Sequence, residues 1–215
     1  MYAEGENMKR LYLLRHGQTE FNVKKLVQGR CDSPLTDLGR KQAGMAAAWL
    51  KGHDVVPDKV VSSPLGRAMD TASLVATELL GPDAAVEPCE GIIERSYGTF
   101  EEGPHDALPT DVWDPGEDLV PFGGEGSKAL QERMVATLTN LISAEDIETL
   151  LAVSHGSASR QFIKAAAPEG FEPPAKLPNC AIMIFDFEEE RSGEEGDAPQ
   201  SKFILQQIID PQQSN

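Results

Sequence analysis

Positive charge is in short supply. The 215 residues hold 19 Lys and Arg against 35 Asp and Glu, a formal net charge of −16. That balance argues against nucleic acid or an anionic membrane surface as a partner, and an anionic ligand would need a local basic pocket in an acidic surface. Cysteine is also scarce. Cys31, Cys89 and Cys180 are odd in number, widely spaced and form no CxxC pair, so neither a disulfide framework nor a zinc knuckle is indicated. No apolar run approaches the ~20 residues of a membrane-spanning helix. Met1–Asn7 has neither the basic nor the apolar stretch of a secretory signal, and no internal repeat is visible. The expectation is a soluble protein of the reducing cytoplasm, with no membrane partner.

What is present suits one domain. Apolar residues make up 40% of the chain, enough for a sizeable core. The reading places a frayed lead-in at 1–8 and a domain over 9–210, with an inserted lid at about 95–126. Lys9–Leu14 is an apolar strand ending in Arg15-His16-Gly17, and Glu148–Ser154 is another, ending in His155-Gly156. Between them a loop over 18–34 precedes a helix that Thr36 caps and Gly52 closes, with Leu38, Ala43, Ala46, Ala47 and Leu50 at helical spacing. A short strand at Lys59–Ser62 leads to a helix over 65–80, with Pro64 at its start and Arg67 in its first turn. Val86–Ile93 reads as a further strand or extended segment. Helices are expected at 127–143, with an apolar stripe of Ala129, Leu130, Met134, Leu138, Leu141 and Ile142, and at 157–167. Two last strands, 181–187 and 202–209, enclose a solvated, Glu- and Gly-rich loop over 188–201. This β-α-β-α order predicts a three-layer α/β/α sandwich. Its central sheet should be mostly parallel, with at least one antiparallel strand near the C-terminal end.

Open α/β sheets place ligands at the C-terminal ends of their strands, where His16 and His155 are delivered. Arg15 precedes His16, and Gly17 permits close backbone approach. An arginine in the first turn of a helix opposes the macrodipole unless it holds an anion, and guanidinium groups bind phosphate in bidentate fashion. Arg15, His16, Arg67, Glu94 and His155 therefore form one candidate constellation. Zinc held by His16 and His155 is disfavoured, because no carboxylate or cysteine stands at ligand spacing and the arginines would repel a cation. Neither a metal nor a cofactor is expected.

Five blocks in order resemble the histidine phosphatase superfamily, also called phosphoglycerate-mutase-like. They are LRHGQTEFN at 14–22, LTDLG at 35–39, SSPLGRA at 62–68, ERSYG at 94–98 and VSHG at 153–156. The resemblance implies that His16 attacks phosphorus to form a phosphohistidine, while Arg15, Arg67 and His155, with Gly156 beside it, hold the phosphoryl oxygens. It also places Asn22 and the backbone near Thr19 in that pocket. Glu94 would protonate the leaving oxygen and then activate water.

The superfamily includes phosphatases and mutases. The mutases that resemble this chain hold the substrate carboxylate with a lysine seven residues after the glycine of ERxYG, where this chain has His105, and with two arginines further on. From Glu101 to Gly126 this chain has no Lys or Arg but eight acidic residues. Such a lid should disfavour a second negative group on the substrate. The expectation is a metal-independent phosphatase acting on a small phosphorylated metabolite. A phosphoglycerate mutase is the alternative, and a weakly catalytic phospho-ligand-binding module a second. Tyr97, His105, Trp113 and Phe122 are the lid residues that would set specificity.

Overall fold

The side chains of the first strand alternate between two cores, and that alternation sets the layers. The computed structural model describes residues 8–168, 171–189 and 201–213. In β1 (Lys9–Arg15), Leu11 and Leu13 enter one apolar cluster while Tyr12 and Leu14 enter the other. A strand buried on both faces behaves this way because successive side chains point to opposite sides. Helices α4 (Ser127–Ile142) and α5 (Gly156–Ala166) close the first cluster. Helices α2 (Asp37–Gly52) and α3 (Gly66–Leu80) close the second. The product is the three-layer α/β/α sandwich.

The six strands lie in the order β3 (Glu87–Pro88), β2 (Lys59–Ser62), β4 (Thr149–Ser154), β1, β5 (Ile182–Glu189), β6 (Ser201–Ile209). The first four pair in parallel; β5 runs antiparallel to β1, and β6 antiparallel to β5. Register positions the site. Arg15 lies opposite Ser154, and Ser62 opposite Val153, so the chain leaves β1, β2 and β4 at one level. Backbone bonds extend this ladder past the strand ends, from His16 N to Ser154 O at 3.0 Å and from Ser63 N to Val153 O at 2.9 Å.

The helices differ from expectation in detail. Thr36 Oγ1 accepts the Gly39 N–H at 3.0 Å and caps α2. Leu38 is 45% exposed and lies off the buried stripe of Ala43, Ala46, Ala47 and Leu50. In α4 the buried stripe is Leu130, Met134, Leu138 and Ile142, a spacing of four that leaves Ala129 on the exposed side.

Larger differences are confined to the connections. Val86–Ile93 gives only the two-residue edge strand β3; after Cys89 N donates to Ser62 O at 2.7 Å the chain turns away from β2 into a 3-10 turn at Glu90–Ile92, while Pro88 sits where its missing N–H faces the open edge. The 18–34 loop contains a short helix, α1 (Glu20–Lys24), closed by a capping box between Thr19 and Asn22. The 95–126 segment holds 3-10 turns at Gly98–Phe100, His105–Ala107 and Val120–Phe122. Tyr97, Leu108 and Leu119 of this segment form a small core with Val27 of the 18–34 loop. The lead-in at 1–7 and most of the 188–201 loop lie outside the described residues.

Candidate active site

Two glycines fold the loop that carries His16 onto α2. A Cβ on Gly17 would come within 2.5 Å of Gly39 O, and one on Gly39 within 2.1 Å of Gln18 O. Thr36 N donates to Gln18 O at 2.9 Å, so the LTDLG block buttresses the turn that carries His16. His16 is 2% exposed. Its Nδ1 lies 2.7 Å from the Gly17 carbonyl and must donate to it, which leaves the Nε2 lone pair free. Burial, then the charges of Arg67 and Arg15, hold its pKa well below the ordinary value of 6.5, so the ring is neutral.

His155 packs edge-on against it, with ring centroids 5.2 Å apart. The chain brings these rings together from adjacent parallel strands, as expected. His155 is fully buried behind the cleft. Its Nε2 is 2.7 Å from Ser63 Oγ, which itself accepts the Leu65 N–H at 3.4 Å. With Ser63 Oγ assigned as the donor to Nε2, the ring proton lies on Nδ1. Burial first, and then Arg67, His16 and Arg15, lower the His155 pKa well below the usual value.

Arg15 and Arg67 are 3% and 1% exposed. Arg15 Nη1 donates to the Leu177 carbonyl, and its Cζ lies 5.1 Å from the centroid of the Trp113 ring. Burial pushes its pKa down to about 10, against the opposing pull of Glu94. Arg67 donates to Gly29 O at 2.7 Å and Cys31 O at 2.8 Å. Arg15 Nε, Arg67 Nε and His155 Nδ1 are buried without a partner. Such donors cost free energy unless an acceptor reaches them, and a tetrahedral oxyanion offers several.

Glu94 meets this group from the start of the 95–126 segment. Its Oε1 accepts the N–H groups of Arg95 (2.8 Å) and Ala158 (2.9 Å), and its Oε2 accepts that of Ser157 (3.2 Å). The carboxylate thus sits at the N-terminus of α5, where the helix dipole favours it. Asn22 lines the cleft. Its Oδ1 accepts from Thr19 N at 3.1 Å and Asn179 Nδ2 at 3.2 Å, leaving its NH2 as the remaining donor.

The cleft has a volume of about 50 Å³ and is lined by Arg15, His16, Arg67, Glu94, Asn22 and Gly156 on the sheet side. Tyr97, His105, Val112 and Trp113 line it from the 95–126 segment. Two expected residues lie elsewhere. Thr19 is fully buried, its hydroxyl capping α1 and donating to Gln28 Oε1 at 2.8 Å. Phe122 is 44% exposed and packs on Phe100 at 5.0 Å instead of lining the cleft. The acidic residues of the segment are also turned to other uses. Glu125 pairs with Arg133 at 2.8 Å, Asp114 with Lys164 at 2.6 Å, and Glu101 accepts Tyr97 N at 2.9 Å.

Sequence reasoning missed three buttresses. Asp32 Oδ2 accepts Gly66 N at 2.7 Å at the start of α3, and Asn179 Nδ2 donates to His16 O at 3.2 Å. Arg95, fully buried, donates to Ser157 Oγ, Gly116 O, Glu125 O and Ser127 Oγ. None carries a periodic signal, since each bonds across a loop. Among the described residues no group of three or more His, Cys, Asp or Glu is placed to hold a metal ion. No helix among them is long and apolar enough to cross a membrane.

An α/β/α sandwich whose parallel strands deliver two histidines and a buried arginine to one cleft defines an enzyme of the phosphoglycerate-mutase-like fold. The chain belongs to the histidine phosphatase superfamily, branch 1, whose family profile matches residues 11–195. A probable phosphoglycerate mutase GpmB of Proteus mirabilis is 32% identical over 190 residues, covering 84% of this chain and 86% of the relative. Among solved structures, a mutant phosphoserine phosphatase from Entamoeba histolytica in complex with phosphoserine is 29% identical, with a TM-score of 0.72 over 94% of this chain and 98% of that one. A mycobacterial glucosyl-3-phosphoglycerate phosphatase is 25% identical, also at TM-score 0.72, over 92% and 98%.

Proposed function

We propose that the chain is a metal-independent phosphatase that hydrolyses small phosphomonoesters through a phosphohistidine on His16. Nε2 of the neutral ring attacks phosphorus as the ester bond breaks, and Glu94, which enters this step carrying a proton taken up with the bound phosphate's charge beside it, gives that proton to the departing oxygen. Water then attacks the phosphohistidine, Glu94 takes a proton from it, and phosphate leaves. Arg15, Arg67 and the His155 Nδ1–H face the three phosphoryl oxygens and hold the charge that spreads over them in the transition state. Asn22 adds a donor from its NH2 group.

The observation that carries the phosphatase reading is the wall contributed by the 95–126 segment. Tyr97, His105, Val112 and Trp113 line the cleft there, with no lysine or arginine to hold a second anionic group for return of the phosphoryl. Burial lowers the His105 pKa, and Lys176 and Lys25 lower it further, so His105 is a poor cation at neutral pH. The phosphoserine and 3-phosphoglyceric acid bound to the Entamoeba phosphatase structures support a compact ester as substrate.

Phosphoglycerate mutase activity is the second reading. The name of the Proteus relative favours it, as does Lys176, whose Nζ lies 5.8 Å from the Trp113 ring centroid and brings a cation close to the cleft. The test is phosphate release in EDTA from p-nitrophenyl phosphate, phosphoserine and 3-phosphoglycerate. Conversion of 3- to 2-phosphoglycerate with a bisphosphate primer is followed in parallel. Release without isomerisation is expected; isomerisation without release would make the enzyme a mutase, and phosphate binding with neither reaction would make it a binding module.

A further inference from the structure

Trp113 lies over the catalytic cluster without taking part in the chemistry, and it is held from several sides. Its ring covers Arg15 at 5.1 Å. It also rests on Gly156, where a Cβ would come 2.7 Å from Trp113 Cζ3, so the ring occupies the space a side chain would need. Asp111 Oδ1 accepts the main-chain N–H of Trp113 at 2.9 Å. The next residue, Asp114, reaches α5. It accepts from Gln161 Nε2 at 2.8 Å and Lys164 Nζ at 2.6 Å and pairs with Arg160 Nη1 at 2.9 Å. Burial alone would raise the Asp114 pKa, but these donors outweigh it and hold the carboxyl down at about 2.

Gly156 is the first residue of α5, so the ring rests on the start of the same helix that Asp114 bonds further along. The wall is therefore fixed to the same element that carries the site. The cleft it closes is about 50 Å³, and a single water already needs about 10–15 Å³ by that measure. A phosphoryl group and a few atoms beyond it fill such a space.

We infer that Trp113, pinned to α5 by Asp114, is the wall that sets leaving-group size and restricts the site to esters that are compact next to the phosphoryl group. The inference rests on the phosphomonoester reading above, and its test separates the two. Binding of methylphosphonate and of 1-naphthylmethylphosphonate, neither of which is hydrolysed, is measured by calorimetry for the wild type, Trp113→Ala and Asp114→Ala. In Trp113→Ala the naphthyl compound should gain about ten-fold or more relative to the methyl compound. Asp114→Ala should shift the ratio the same way by less, and it carries the test if Trp113→Ala does not fold. An unchanged ratio, or an equal loss for both ligands, would overturn the wall. A wild type that releases phosphate from no ester would overturn the phosphatase reading, and the phosphonate ratio would still decide the wall.

Discussion

The sheet side of the cleft and the 95–126 segment opposite are built by different physics. His16, Ser63 and His155 sit where backbone ladders run out, and the ladder itself places them through the bonds of His16 N and Ser63 N to β4. Beneath them lie fully buried Leu13, Leu14, Ala152 and Val153. The 95–126 segment has 3-10 turns, a small core of Tyr97, Leu108 and Leu119 with Val27 from the 18–34 loop, and polar ties such as Tyr97 Oη to Val112 O at 2.7 Å. Precision on one side comes from the main chain, and on the other from individual side chains. The second can therefore change, residue by residue, without disturbing the first.

The largest effects should follow from the sheet side. His16→Ala removes the nucleophile, and kcat should fall by about 10⁴-fold or more with little change in thermal stability; retained turnover would end the phosphohistidine mechanism. Glu94→Gln keeps the size of the side chain and loses its proton, so kcat should drop about 10²–10⁴-fold while phosphate still binds. Single-turnover kinetics with the acid-trapped phosphoenzyme would show which half-reaction slows.

The segment opposite should fail in another way. Arg95 joins Gly116, Glu125 and Ser127 to Ser157 through its guanidinium. Arg95→Met leaves those acceptors unanswered, at a cost of about 3 kcal/mol. Hydrogen exchange should quicken across 96–123 before it quickens in β1 or β4. Equal loss of protection in both would mean that the two regions unfold together, and the contrast drawn above would fail.

The same contrast explains what can be read from the sequence. Parallel strands ending in Arg15-His16 and Ser154-His155 are visible because an apolar run and an abrupt polar stop are both local signals. Helical stripes such as Leu130–Met134–Leu138 are visible for the same reason. Asp32 and Asn179 are invisible, and Arg95 shows only as a letter of the ERSYG block, because each acts on backbone or side-chain atoms of another loop, and nothing at their own positions marks the partner. In the sequence the acidic residues of 101–126 show only their charge. Pairing turns Asp114 and Glu125 away from the cleft, so the cleft wall is uncharged instead of acidic. The apolar ends of Val86–Ile93 suggest a strand, and the 3-10 turn at Glu90–Ile92 cuts it short.

Acid should strike the sheet side next in magnitude. His16 and His155 are buried with pKa values well below 6.5. In the unfolded chain they bind protons as pH falls through about 6.5, while the native rings stay neutral. The unfolded state thus holds more protons, and stability falls with pH below that value. Both rings therefore withdraw stability as pH falls through that value. Urea unfolding should show this slope, and His155→Gln should flatten it. An unaltered slope would show that His155 does not carry it.

The smallest effect tests the sheet side where it, too, depends on a side chain. Helix α3 has no cap of its own, since Leu65 makes no side-chain bond at its N-terminus. Asp32, from the loop before α2, supplies one in its place, its Oδ2 on Gly66 N at 2.7 Å and its Oδ1 3.4 Å from Arg67 Nη1. Asp32→Ala should cost about 1 kcal/mol, the usual value of a lost cap, and should loosen Arg67 enough to lower kcat/KM several-fold. Asp32→Asn keeps an acceptor for Gly66 and should recover the stability, but not the charge opposite Arg67. In an Arg67→Ala background, Asp32→Ala should lower stability as before yet leave the residual activity unchanged, because Asp32 acts on catalysis only through the arginine. A further drop in activity there would mean that Asp32 works through something other than Arg67, and that side chains govern more of the sheet side than its ladders do.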